Sequence, residues 1–177
     1  MAQNKQYKAN SHTHSNLSDG AHSPEDLKRM YMERGYSIVA FTDHEIIRDQ
    51  SHLCDESFVA INGYEYSITA KMEGTYFDKP TCHLNLWAKD QKNLSHVCYH
   101  PEYRKPKHVT VEEASALPHY GDYMVTEYSV EGINHVIDEA NKHGYLVCYN
   151  HPWWSMEGFN TFSQYDGYFA VEVFNYG

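Results

Sequence analysis

Along this chain, short apolar runs alternate with amphipathic stretches, and His or an acidic residue stands at or just beyond the end of several apolar runs. Tyr7 to Asn10 read as the end of a first strand. In SPEDLKRMYMERG, Ser23 can cap, Pro24 suits the first helical turn, Leu27, Met30 and Tyr31 share a face and Gly35 supplies a stop, which predicts a helix over about residues 24–34. SIVAFTDHE is apolar from Ile38 to Phe41 and ends in Asp43, His44 and Glu45. A continuous apolar run after a helix predicts a buried parallel strand.

FVAINGYEYS is a further strand, closing on Glu65. The turn-rich TAKMEGTYFDKPT predicts a hairpin or excursion around Gly74 and Pro80, and HLNLWA then opens a strand with His83. Residues 89–128, rich in Tyr, His and Pro, lack periodicity; they predict an insertion that covers or lines a site, with some helix near Val111 to Ala116. From Ser129 a helical pattern returns, with Ile133, Val136, Ile137 and Ala140 on one face and Gly144 as its stop. YLVCYNHP is a strand ending in His151, and YFAVEVFN another, carrying Glu172 and Asn175.

Strands alternating with helices predict an α/β chain of 177 residues in one domain. A doubly wound sheet gathers ligands at one switch point, whereas a barrel brings the C-terminal ends of all its strands to one face, so the pattern favours the barrel.

Composition changes the picture in two ways. A net charge of −10, from 14 Lys and Arg against 24 Asp and Glu, would repel a nucleic-acid backbone and argues against it as the main partner. The 13 histidines are nearly as many as all Lys and Arg together, which points to metal or acid–base chemistry. Cys54, Cys82, Cys98 and Cys148 form no CxxC pair and read as reduced thiols. The polar opening lacks a signal-peptide core and no stretch reaches the length of a membrane span, so the expectation is a cytoplasmic protein without a membrane partner.

His12 and His14, two apart after a strand, leave the same face and can converge on one cation, with Asp19 following on the loop. HxH alone fits two solvated loop histidines equally well; the recurrence of the arrangement at His44, Glu65, His83 and His151 favours ligation. Seven candidate ligands exceed a single tetrahedral zinc and suit a multinuclear site in which a carboxylate such as Glu65 bridges two cations.

HTHSNLSDG, FTDHE, NGYEYS, HLNLW and YNHP, in this order, resemble the successive motifs of the PHP (polymerase and histidinol phosphatase) metal-dependent phosphoesterases, from His12 to about Asn175. The resemblance implies a distorted seven-stranded, TIM-like β/α barrel in which up to three divalent ions (Zn, Mn or Fe) hydrolyse phosphoesters. By position, His12, His14 and Glu65 resemble the ligands of a first metal. Glu65 would bridge to a second held by His83 and His151, and Asp19 and His44 resemble the ligands of a third. The family's later DxH motif is absent after Glu172, which reads as a fragment lacking the C-terminal closing part of the barrel or as a divergent form.

The expected nucleophile is a metal-bound hydroxide, since divalent cations acidify bound water from 15.7 to about 7. No GxSxG elbow is present. The expected partner is a small phosphoester, a phosphorylated metabolite or nucleotide. Alternatives are a metal-binding module without turnover and an amidohydrolase, although no lysine stands at a strand end; the acidic charge disfavours a polymerase-associated exonuclease. Arg48 is a candidate phosphate contact, better placed than Arg104, Lys105 and Lys107. Trp153 and Trp154 could stack on a base or sugar, or pack on the insertion. Asp43, Glu45, Asn150, Glu172 and Asn175 are candidates to orient ligand imidazoles. His96, His100, His108 and His119 follow no apolar strand and are read as non-ligands.

Overall fold

The computed structural model describes residues 5–75 and 78–175. Its frame is one mixed sheet of six strands in sequential order: β1 (Lys8–Asn10), β2 (Tyr36–Phe41), β3 (Val59–Thr69), β4 (Thr81–Ala88), β5 (Tyr145–Tyr149) and β6 (Ala170–Val171). The sheet curls into a half-barrel. Strand order that never reverses is what a barrel wall requires and what a doubly wound sheet lacks. Four helices accompany it among the described residues: α1 (Pro24–Glu33), α2 (Val111–Ser115), α3 (Val130–Lys142) and α4 (Phe159–Phe162).

The sheet departs from the regular β/α alternation expected from the sequence. β1, β2 and β3 run parallel, but β4 is antiparallel to both β3 and β5, and β5 and β6 are parallel again. The β3–β4 link is a hairpin-like connection, of which Tyr76 and Phe77 lie outside the described residues. Parallel strands need a crossover of a dozen or more residues, usually with a helix, so a link this short reverses the chain. The reversal brings the N-terminal end of β4, where His83 sits, to the rim at which parallel neighbours present their C-terminal ends.

Alternation along the strands separates the two faces. Tyr64, Tyr66 and Ile68 of β3, Leu84 and Leu86 of β4, and Tyr145, Val147 and Tyr149 of β5 join Ile133, Val136, Ile137 and Ala140 of α3 in one buried cluster. These are period-2 positions of strands meeting the apolar stripe of an amphipathic helix. A smaller cluster packs Leu27 of α1 on Val39, Phe41, Phe58 and Ala60. The intervening strand positions, Gly63, Glu65 and Ser67 of β3 opposite Trp87, Asn85 and His83 of β4, share the concave face. Burying a large aliphatic or aromatic side chain contributes about 1.5–3 kcal/mol, so the convex cluster outweighs a cost of several kcal/mol for burying a carboxylate on the other side.

Gly63 makes the concavity possible: a Cβ there would lie 2.7 Å from the Leu86 carbonyl oxygen and 3.3 Å from the Trp87 ring. Trp87 can then cross the concave side and donate from Nε1 to the Ser11 carbonyl at 3.0 Å, tying β4 to the end of β1.

Residues 89–128 do not lie where the sequence suggested. None of them lines the concave cavity; they pack outside it. Tyr66 Oη meets the Cys98 carbonyl and Thr126 Oγ1, Val97 N donates to Tyr64 Oη, and Tyr99, Val109, Ala114 and Leu117 form a cluster with Ile46. The hydroxyls of convex-face tyrosines need buried partners, and this segment supplies them. No helix among the described residues is long and apolar enough to cross a membrane.

Candidate metal centre

The floor of the concave cavity is Glu65, at mid-strand in β3 and 1% exposed. Five imidazoles from four parts of the chain face it. His14 Nε2 lies 3.1 Å from Oε2 and His44 Nδ1 3.1 Å from the same oxygen; His151 Nε2 lies 3.1 Å and His12 Nε2 3.4 Å from Oε1. His83 completes the ring, its imidazole centroid 5.0 Å from that of His151 and 5.6 Å from that of His44. Asn150 Nδ2 donates to Glu65 Oε1 at 2.8 Å.

Local structure explains each position. The loop after β1 folds back on itself, with Gly20 N donating to the Ser15 carbonyl at 2.9 Å, and a Cβ on Gly20 would come within 2.3 Å of the His14 carbonyl oxygen. Asp43 fastens this loop by accepting from Ser15 N, Ser15 Oγ and Ser18 Oγ at 2.7–2.9 Å. The loop in turn sets Asp19, whose Oδ1 lies 2.8 Å from His14 Nδ1 and whose Oδ2 lies 3.8 Å from His44 Nε2. His151 leaves β5 with φ +28 and Glu45 leaves the β2 end with φ +58, both left-handed conformations that L residues hold only under surrounding constraint. Glu45 is constrained by its backbone N–H on the Glu65 carbonyl, and its side chain accepts from Ser67 N at 2.8 Å.

Four groups of donors are close enough to hold a cation: His12, His14 and Glu65; Glu65, His83 and His151; His14, Asp19 and His44; and His12, His151 and Glu172. The first two contain the residues of the sets that the resemblance implies, and the third adds His14 to the Asp19 and His44 that it implies. The fourth adds Glu172, whose Oε2 lies 3.1 Å from His12 Nδ1.

The donor set fits divalent cations. The Nε2 atoms of His12 and His14 point at each other across 3.0 Å, while both Nδ1 atoms already face carboxylates. Two lone pairs held that close repel unless a proton or a cation lies near them. Without a cation, protons take that role. Burial pulls both imidazoles towards neutrality, but hydrogen bonds to Glu172 and Glu65 raise His12 to about 9, and those to Asp19 and Glu65 raise His14 to about 10. Glu65 is held well below the usual carboxylate range, because the His12, His14 and His151 contacts overcome its burial. His83, by contrast, is pushed down to about 3 by burial and is a neutral donor.

A pH dependence follows. The folded-state values of His12 and His14 lie above the unfolded 6.5, so their charge stabilises the metal-free fold below 6.5, and that contribution is lost as pH rises through about 9–10. Ligation needs the same lone pairs, so cation binding near pH 7 should release protons from these two imidazoles, and affinity should climb up to about pH 9–10. Calorimetric titration with zinc in two buffers of different ionisation enthalpy reads the protons released; a buffer-independent heat would contradict this assignment.

The open cavity has a volume of about 640 Å³. Beyond the ligand side chains its lining includes Asn10, Tyr31, Tyr36, Trp154 and Phe174. Neither lysine nor arginine is among its lining residues. Arg48 is exposed and outside the lining, and Trp153, 96% exposed, does not reach it. Arg104 is buried behind β3, facing Glu45, the Ser67 carbonyl and the Tyr66 ring.

Of the orienting candidates, Asn150 touches Glu65 and Glu172 touches His12, whereas Asp43 and Glu45 hold backbone. Asn175 acts on Glu172, with Nδ2 at 3.2 Å and 3.3 Å from its two oxygens. His96 is spoken for by the Pro118 carbonyl and Ile47 N, and the His100 ring packs at a tilt against that of Tyr103. Neither belongs to a donor group. Tyr31 and Tyr36 were not anticipated as cavity walls; the only signal was a polar tip on an otherwise apolar helix face and strand start.

Residues 10–145 match the PHP domain. No curated protein matches the chain significantly. Among solved structures, a candidate metal-dependent phosphoesterase of Bifidobacterium adolescentis is similar with a TM-score of 0.55 at 14% identity, over 97% of this chain and 78% of that one. A two-domain protein of Bacteroides vulgatus, described as containing a predicted PHP-like metal-dependent phosphoesterase, is similar with a TM-score of 0.43 at 20% identity, over 88% of this chain and 38% of that one. The first of these likenesses bears on the fold.

Proposed function

This chain belongs to the PHP domain family, and from that premise we propose that it hydrolyses small-molecule phosphoesters with up to three divalent cations held around Glu65. The observation that supports the reading is the burial of one carboxylate among imidazoles delivered by β1, β2, β4 and β5. A purely structural cluster has no reason to put so many titratable groups at the bottom of an open cavity.

We assign His12, His14 and Glu65 to a first cation, Glu65, His83 and His151 to a second, and Asp19 and His44 to a third, with His14 beside it. When bound, divalent cations supply Lewis acidity and an acidified water near neutral pH. The chain's own residues supply the rest. Asp19 and Glu172 hold the Nδ1 sides of His14 and His12, which directs both Nε2 atoms at Glu65. With no lysine or arginine in the lining, a phosphate would be recognised at the cations rather than by side-chain cations. The Tyr31, Tyr36 and Trp154 walls leave room for an organic leaving group, as the cavity volume lies within the range of small-molecule sites.

The test is a panel of phosphorylated metabolites and nucleotides, offered to chelated protein and to protein reloaded with zinc, manganese or iron. The proposal predicts phosphate release that needs metal. Stoichiometric metal binding without release from any ester would leave a metal-binding module instead.

A further inference from the structure

We propose that Glu172 is the positioning residue for His12, fixing the ring so that Nε2 is the ligating nitrogen; this rests on the metal-centre reading above. Glu172 stands immediately after β6, where its backbone N–H donates to the Tyr149 carbonyl at 2.8 Å. That bond places its side chain beside the exit of β5, and thus beside His151. Oε2 then lies 3.1 Å from His12 Nδ1, with the Glu172 side chain 16% exposed. Asn175 Nδ2 reaches both carboxylate oxygens, so the acceptor is itself held in place.

The consequence for His12 is a matter of tautomer. A carboxylate only accepts, so the nitrogen facing it must carry the proton, and in the neutral ring the other nitrogen must then carry the lone pair. That other nitrogen is Nε2, which faces Glu65 Oε1 at 3.4 Å and His14 Nε2 at 3.0 Å. Glu172 therefore does for His12 what Asp19 does for His14. Asp19 also faces His44 across 3.8 Å, which places it among the ligands, whereas direct ligation by Glu172 with His12 would require His12 to give up the Nδ1 proton. The carboxylate–imidazole pair also makes the ring a better donor, and losing such an outer partner typically weakens metal binding about 10–100-fold.

The experiment uses the full chain as wild type, Glu172→Gln and Glu172→Ala, titrated with zinc. Calorimetry gives affinity, elemental analysis at saturation gives stoichiometry, and nitrogen-15 NMR of the zinc-loaded protein gives the tautomer of His12. Glu172→Ala should bind as many equivalents as wild type, with the affinity of the His12 site lowered about 10–100-fold, and the His12 ring should lose its fixed Nδ1–H form. Glu172→Gln keeps an acceptor oxygen and should recover most of that affinity. Loss of one equivalent at saturation in Glu172→Ala would make Glu172 a ligand and overturn the proposal. So would unchanged affinity with an unchanged tautomer. If Glu172→Ala does not fold, the tautomer in zinc-loaded wild type and the affinity of Glu172→Gln decide: a zinc-loaded His12 protonated on Nε2 and not on Nδ1 sinks the proposal. Wild type that binds no zinc would overturn the metal-centre reading as well, whereas normal wild-type binding with an indifferent Glu172 removes only this inference.

Discussion

Glu65→Gln should lose the two cations that share this carboxylate and, with them, detectable phosphate release. The substitution keeps the size of the side chain, so packing against Asn85 and Ser67 on the concave face changes little, but it removes the negative charge on which four imidazole contacts converge. An amide offers one oxygen where the carboxylate offers two, and its NH2 would confront an imidazole on the other side. Losing an outer partner of a ligand typically costs about 10–100-fold in metal affinity or activity, and a bridging ligand should exceed that range at both of its cations. The variant should also alter the protonation of the metal-free protein. Contacts with Glu65 help to raise His12 and His14 to about 9 and about 10, so both should titrate closer to their ordinary value in Glu65→Gln. Proton release on residual zinc binding would shrink accordingly. A variant that retains wild-type stoichiometry and turnover would show that Glu65 is a structural carboxylate.

The double substitution His12→Ala with His14→Ala should lower phosphate release by more than about 100-fold while leaving the fold largely intact. It removes both nitrogens of the first cation and one neighbour of the third, so an activity that depends on these cations has no route around it. The fold survives because Glu65 keeps Asn150 Nδ2 at 2.8 Å, His151 at 3.1 Å and His44 at 3.1 Å, and because neither removed ring belongs to an apolar cluster. The buried carboxylate nevertheless loses two charged partners, a cost of about 2 kcal/mol, which corresponds to a thermal midpoint lower by about 5 °C at this chain length. Turnover that persists with metal content confirmed low would rule out the proposed chemistry, and a collapsed fold would show that the pair is structural first.

Much of this centre was legible in the residues because strands repeat with a period of two and parallel strands end on one rim. The spacing of His12 and His14 left ligation and solvated loop histidines equally open, and the recurrence of His44, Glu65, His83 and His151 against apolar runs tipped the reading towards ligation. The direction of β4 was not legible: HLNLWA reads the same whichever way it runs, and only the short link from Thr69 to Thr81 carries the information. The placement of residues 89–128 was hidden for a related reason. What holds them is the hydroxyls of Tyr64 and Tyr66, residues whose apolar bodies gave no hint of which segment would satisfy their polar tips. Glu172 could be named as an orienting candidate but not assigned to a partner, because its contact with His12 spans the chain from its first strand to its sixth. Arg48 failed to reach the cavity, as proximity in sequence to His44 says nothing about which side of the strand end the next turn exposes.

Anomalous scattering from crystals soaked with limiting zinc tests the central claim most directly, since it locates each cation without reference to activity. The account predicts first density on either side of the Glu65 carboxylate, one peak near His12 and His14 and one near His83 and His151, with the position near Asp19 and His44 filling later because it has fewer ligands of its own. Zinc that fills the Asp19 and His44 position while the flanks of Glu65 stay empty, or that binds only away from these residues, would contradict it.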